Sequence, residues 1–224
     1  MCFSMTADLV AGTALVPVAA LSVSKVRDRR ELPFALLPAL FSAHQFLEVT
    51  VWAGLDGRVS PGLADLAMRA YLFIAWPLLP TYMPFAVMLL DARRRAAMAP
   101  FLALGLIVSG YLAFVVLANP VEVIRHSHGL EYLTVVQHPL LWAVLYIVAV
   151  IVPLLMSSYR PIVAFGVLNL IGLIAVAILY MKSFASLWCF FAAVASVLVL
   201  VHMTLRRTSP DADRLTGPPV PTRA

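Results

Sequence analysis

The chain has 224 residues, of which 62% are hydrophobic and only 12% are charged, and its formal net charge is +5. A soluble domain has about 45–50% apolar and about 25% charged residues. The composition therefore excludes a soluble globular protein and predicts a polytopic membrane protein in a lipid bilayer. We expect no nucleic-acid partner, because the basic residues lie in short clusters between apolar segments, where they set membrane topology.

Seven apolar segments follow one another, each long enough to cross the hydrocarbon core as a helix of about 20 residues. They are residues 6–26, 32–55, 63–90, 97–118, 134–156, 161–180 and 183–203. The third is longer than a straight crossing needs and contains Pro77, Pro80 and Pro84, which predicts a tilt or a kink. The predicted fold class is an all-α bundle of seven transmembrane helices.

The distribution of Lys and Arg predicts the orientation of this bundle. Twelve of the 16 basic residues follow the first, third, fifth and seventh segments. Because cytoplasmic loops are rich in Lys and Arg, we expect the N-terminus outside and the C-terminus in the cytoplasm, in the cell's inner (plasma) membrane. The basic residues follow the first apolar run, so we expect an uncleaved anchor rather than a signal peptide. Residues 1–207 form the predicted membrane domain, and residues 208–224 a disordered cytoplasmic tail.

The second segment carries polar residues near its middle, namely Ser42, His44, Gln45 and Glu48. A carboxylate at mid-membrane costs on the order of 3 kcal/mol on insertion scales, so it needs a partner or a water-filled cavity. His44 and Glu48 are four residues apart and share one helix face. Most other polar residues of the segments fall in the same outer half. This clustering predicts a polar pocket that opens to the outside.

The leading functional hypothesis is a metal site in this pocket. Its predicted ligands are His44, Glu48, His138 and Cys189. Imidazole, carboxylate and thiolate are normal ligands of a divalent metal such as zinc, and an open position would activate water. The protein would then hydrolyse a small or lipidic substrate, with His44 and Glu48 as its catalytic residues.

Cys2 is a further catalytic candidate. After removal of Met1 it would be the N-terminal residue, and its thiol could act as a nucleophile with His44 as base. A disulfide between Cys2 and Cys189 is an alternative, since both lie towards the outside, where the environment permits one.

Two other classes of function stay open. One is a non-enzymatic sensor or receptor, or a transporter-like protein, that binds a ligand or protons in the same pocket. The other is a structural membrane subunit, in which His44 and Glu48 form a buried pair that fixes helix packing. The long outer connection, residues 119–133, is predicted to be a solvated loop, with a lid or metal-binding role as its alternative.

The opening MCFSMTADLVAG, the stretch AHQFLEVTVW and the late run FASLWCFFAAVAS resemble a family of uncharacterised bacterial seven-span proteins. Members of that family begin with MCFSATA or a similar run, and this chain departs from the pattern at Met5. The resemblance covers about residues 1–204 and implies a multi-span membrane fold without supplying an activity.

A looser likeness, seven spans with Ser42 and His44 in the second, is to the seven-span metal hydrolases that include alkaline ceramidases and adiponectin receptors. That superfamily has a histidine pair in its last span, whereas this chain has only His202 there.

Overall fold

The computed structural model describes residues 4–208, which form ten helices and one β-hairpin. The helices are α1 (Met5–Ser24), α2 (Leu32–Ala35), α3 (Leu37–Leu55), α4 (Pro61–Phe73), α5 (Leu79–Leu90), α6 (Arg95–Ala118), α7 (Pro139–Leu155), α8 (Arg160–Leu179), α9 (Phe184–Ala195) and α10 (Val197–Thr208). The antiparallel hairpin pairs β1 (Glu122–His126) with β2 (Gly129–Leu133). Cys2 and residues 209–224 lie outside the described residues.

Within residues 4–208, six helical stretches are long and apolar enough to cross a membrane. They are Met5–Ser24, Arg29–Leu55, Pro61–Leu90, Arg95–Ala118, Arg160–Leu179 and Met181–Arg206. The predicted α-helical membrane bundle is therefore confirmed. The predicted segment 134–156 is instead the 17-residue helix α7. It begins five residues later than predicted, because the residue before a proline avoids the helical conformation, and His138 adopts a φ of 50° before Pro139.

Contacts between connections define the two ends of the bundle. At the end that we call the basic end, Arg206 Nε lies 2.8 Å from Glu31 Oε1. There the backbone N–H of Ser158 also donates to Asp91 Oδ2 at 2.7 Å. The connections after α1, α5 and α7 thus meet the last helix at one end.

The opposite end is the hairpin end. There Arg125 Nη2 of β1 lies 2.6 Å from Asp56 Oδ1, which follows α3. The Arg125 guanidinium lowers the pKa of the Asp56 carboxyl below its ordinary value. The pair is largely solvent-exposed and orients the hairpin more than it stabilises it.

The third predicted segment is interrupted where its prolines predicted a kink. A π-helical segment, Ile74–Leu78, contains Pro77 and joins α4 to α5. Single π-helical turns free backbone carbonyls for other donors and are frequent at functional sites. In this one, the Ala75 carbonyl accepts a hydrogen bond from the Tyr146 hydroxyl of α7.

The hairpin corrects one expectation, since residues 122–133 are two paired strands and not a loop. Leu130 is fully buried and Tyr132 is 8% exposed, because alternate residues of β2 face the bundle. The glycine at 129, with a φ of 146°, allows the turn to approach α9. A Cβ there would lie 3.1 Å from Ser186 Oγ.

Candidate functional site

His44 and Glu48 lie on the face of α3 that is turned into the bundle. Their exposed fractions are 1% and 0%, whereas Phe46 on the opposite face is 36% exposed. Helices α1, α4 and α9 pack around α3. The two side chains predicted to form the site are therefore enclosed by protein rather than by lipid.

His44 begins a column of stacked rings that leads to the hairpin. Its imidazole stacks on Tyr71 of α4 with a centroid distance of 3.9 Å, and Tyr71 stacks on Tyr132 of β2 at 4.7 Å. His44 Nε2 lies 3.1 Å from the Tyr71 carbonyl oxygen. A carbonyl can only accept, so Nε2 carries the proton and Nδ1 is an acceptor. That acceptor has no hydrogen-bond partner.

Glu48 has hydroxyl groups around it from three other elements. The nearest belong to Tyr71 of α4, Tyr132 of β2 and Ser186 of α9. None of them meets the carboxylate with hydrogen-bond geometry, and both oxygens of Glu48 lack a partner among residues 4–208. The Tyr71 and Tyr132 hydroxyls also lack one. Buried polar groups are nearly always paired in proteins, so this concentration of unpaired atoms is unusual and makes the region the candidate site.

Asp8 of α1 is the second carboxylate of this region. It is 2% exposed, and its Oδ2 accepts a hydrogen bond of 2.9 Å from Trp52 Nε1. The Arg125 guanidinium lies over the Trp52 ring, 5.1 Å from its centroid, so the hairpin also reaches this carboxylate through Trp52. We call the set of Asp8, His44, Glu48, Tyr71, Tyr132 and Ser186 the polar cluster.

The charge of the polar cluster is not balanced by basic side chains. No ion pair in the described part of the chain involves Asp8 or Glu48. Burial and the nearby Glu48 carboxylate raise the pKa of Tyr132 well above its ordinary value. Its hydroxyl therefore keeps its proton and can donate.

The other predicted site residues have separate places. Cys189 of α9 is 3% exposed and lies beside Tyr71 and Glu48. His138 is exposed and is the residue immediately before α7. Among residues 4–208, no three His, Cys, Asp or Glu side chains come together as a metal site requires. The four-ligand zinc site therefore stays a prediction, as does the role of Cys2, which lies outside the described residues.

An apolar pocket lies next to the polar cluster, between the hairpin-end halves of α7 and α9. We call it the Trp pocket; its volume is about 260 Å³, and its principal lining residues are Trp76, Trp142, Tyr146, Phe184, Trp188 and Cys189. Cys189 is common to both sites, since it lines the pocket and also contacts the cluster. The sequence predicts a polar cavity, whereas this pocket is lined mainly by aromatic and aliphatic side chains.

The sequence analysis missed Tyr71 and Tyr132, which complete the polar cluster. Tyr132 could have been found from the alternation of β2, where Leu130 and Tyr132 are the buried positions. For Tyr71 the signal was only a hydroxyl inside an apolar segment, which is common in membrane helices.

Fold and site together define an α-helical integral membrane protein with a buried polar cluster beside an aromatic pocket. The chain belongs to the family described as "Family of unknown function (DUF6629)", which matches residues 1–214. Membership of an uncharacterised family agrees with the resemblance of the sequence. Comparisons with curated proteins and with solved structures found no match.

Proposed function

We propose that the protein is a seven-span receptor or binding protein of the inner membrane, which takes a small lipophilic ligand from the outer leaflet into the Trp pocket. The observation that carries the proposal is an aromatic pocket whose wall residue, Cys189, also borders a buried polar cluster. Ligand sites are typically apolar cavities with a few polar groups at one place. The Trp pocket with its neighbouring cluster has this composition.

The proposed topology needs α7 as the seventh crossing. Its 17 residues span about 25 Å at 1.5 Å per residue, close to the hydrocarbon thickness of about 30 Å. Leu140 and Val144 of α7 are 78% and 49% exposed, as expected for side chains that face lipid. With seven crossings, the arginine-rich connections all lie at the basic end, which supports a cytoplasmic basic end and an external N-terminus.

The shape of the pocket favours a particular class of ligand. A cavity of about 260 Å³ is at the lower limit for small-molecule sites, which are commonly about 300–1,000 Å³. Its aromatic walls suit a flat ring or a short alkyl segment. Because its mouth lies between the hairpin-end halves of two helices, such a ligand would enter from the outer leaflet.

Binding is better supported than hydrolysis. The catalytic candidates His44 and Glu48 lie behind Cys189 and are not part of the pocket wall. A hydrolytic reaction would need the substrate to pass Cys189 and reach them together with a water molecule. Hydrolysis of a small or lipidic substrate therefore stays a prediction of the sequence.

Replacing Ala143 with phenylalanine is expected to block the pocket. Ala143 lines the pocket but is itself exposed, so the larger ring can fill the cavity without crowding the core. Overfilling a packed site commonly costs about 1–3 kcal/mol, so affinity should fall by about 5- to 150-fold. The probe is 1-bromodecane added to protein in nanodiscs, because bromine quenches tryptophan, and three of the four tryptophans line the pocket.

The matched control is Val144→Phe on the same helix. Val144 is 49% exposed and does not line the pocket, so the same side chain added there should leave quenching unchanged. We expect saturable quenching in the wild type and in Val144→Phe, and weakened quenching in Ala143→Phe. Quenching that rises linearly and equally in all three proteins would show that the probe only dissolves in the lipid, and the proposal would be withdrawn.

A further inference from the structure

The polar cluster contains two carboxylates that need a positive partner. Glu48 is fully buried and Asp8 is 2% exposed, and neither is paired with Lys or Arg in the described part of the chain. An isolated carboxylate away from water is too costly to persist, so a buried one is either protonated or accompanied by a cation. A proton or a cation is therefore needed to balance the charge of the cluster.

The atoms around Glu48 are those that a hard cation prefers. Both carboxylate oxygens and the hydroxyls of Tyr71 and Tyr132 are buried without hydrogen-bond partners. The Ser186 hydroxyl lies next to the same carboxylate. Alkaline-earth cations take oxygen ligands, carboxylates above all, whereas zinc sites are built mainly from nitrogen and sulfur ligands.

A proton satisfies this arrangement less well than a cation does. Protonation of Glu48 would remove its charge and give one O–H donor, and that proton would be shared by two oxygen atoms at most. A cation can be bound by several oxygens at once and balances the charge of the carboxylate. The number of oxygen atoms that come together around Glu48 from three other elements therefore favours a cation.

We infer that the polar cluster binds a hard cation of the alkali or alkaline-earth type, with Glu48, Tyr71, Tyr132 and Ser186 as oxygen donors and Asp8 as a nearby negative charge. The donors come from α3, α4, β2 and α9. The bound cation would therefore tie the hairpin to three helices of the bundle. This site is separate from the Trp pocket and does not depend on the lipophilic ligand.

Thermal unfolding of chelator-treated protein in detergent tests the inference. Sodium, potassium, magnesium, calcium and zinc chlorides are added in turn at constant ionic strength, with N-methyl-D-glucamine chloride as the balancing salt. At least one of the four hard cations is expected to raise the Tm of the wild type by several degrees in a saturable manner, because a ligand that binds only the folded state stabilises it. Equilibrium dialysis with elemental analysis then gives the stoichiometry, with one ion per chain expected.

Three variants separate the site from general charge effects. Glu48→Gln should weaken the cation response at least tenfold, and Tyr132→Phe should weaken it to a smaller extent, because only one uncharged donor is lost. Glu131→Gln is the control, since Glu131 lies on the same hairpin and contacts His126 rather than the cluster. It should keep the response of the wild type.

The inference is overturned if no hard cation shifts Tm, if Glu48→Gln responds as the wild type does, or if zinc alone stabilises the protein. A Tm that depends on pH but on none of the cations would identify a proton instead and would also overturn it. If Glu48→Gln does not fold, Tyr132→Phe is compared with the wild type instead. This variant should fold, because it keeps the aromatic ring and loses only a hydroxyl. The quenching experiment on Ala143→Phe is unaffected by any of these outcomes.

Discussion

Replacing Gly105 with leucine is expected to prevent the folded bundle from forming. Gly105 lies on α6 where that helix crosses the start of α5, and a Cβ built there would overlap the Pro80 carbonyl oxygen. That atom belongs to the backbone, so no side-chain rotation relieves the clash. The two helices would have to separate. The loss of their contacts would cost far more free energy than the roughly 1–3 kcal/mol of an ordinary overpacked site.

The measurement is the monodisperse fraction on gel filtration after detergent extraction, followed by thermal unfolding of what remains. Gly110→Leu is the matched control, because Gly110 lies on the same helix and has no atom within 4 Å of its built Cβ. Leucine has a higher helix propensity than glycine by somewhat under 1 kcal/mol, so the control should fold at least as well as the wild type. Normal yields of Gly105→Leu would contradict the close contact of α5 and α6.

Replacing Glu48 with methionine is expected to stabilise the protein when no cation is present. The two side chains are similar in size, and methionine removes a buried carboxylate whose oxygens have no partner. Replacement of a buried ion pair by apolar residues of similar volume is often stabilising by about 1–4 kcal/mol, and in the described part of the chain Glu48 has no basic partner that the exchange would leave unpaired. For a chain of this length, Tm should rise by about 2–4 °C per kcal/mol.

Chelator-treated wild type, Glu48→Met and Ala43→Met are compared by thermal unfolding in the same detergent. Ala43 is exposed on α3, so methionine at that position tests for the general effect of a new thioether and should change little. A gain in stability together with loss of the cation response of Tm would be typical of a binding residue, since binding sites are kept at the expense of stability. A clear loss of stability in Glu48→Met would instead favour the structural role, in which Glu48 fixes helix packing.

The burial of His44 and Glu48 inside the bundle could be predicted because both residues are out of place in an apolar helix. Their spacing put them on one face, and the membrane excludes any position for them other than the bundle interior. The neighbours could not be predicted in the same way. Tyr71, Tyr132 and Ser186 lie on three other elements, and only the packing of α4, β2 and α9 around α3 brings them together.

The class of fold followed from the composition and the spans from the apolar runs, but neither predicted the details of the backbone. The segment 134–156 contains a helix of 17 residues, because Pro139 fixes its start. Residues 122–133 form a hairpin that was not predicted, because its inward-facing apolar residues are fewer than the polar residues around them. In both places, local backbone preferences determine the secondary structure, and the average hydrophobicity of the segment does not predict it.

Tyr132, which covers the cluster from the outside, belongs to a β-hairpin and not to a spanning helix. A two-stranded hairpin has little stability of its own, and this one is held at its edge by the exposed pair of Arg125 and Asp56. Displacement of residues 122–133 would uncover Glu48 while every transmembrane helix kept its neighbours. Exposure of Glu48 would then require the movement of a two-stranded hairpin and not the separation of any two helices.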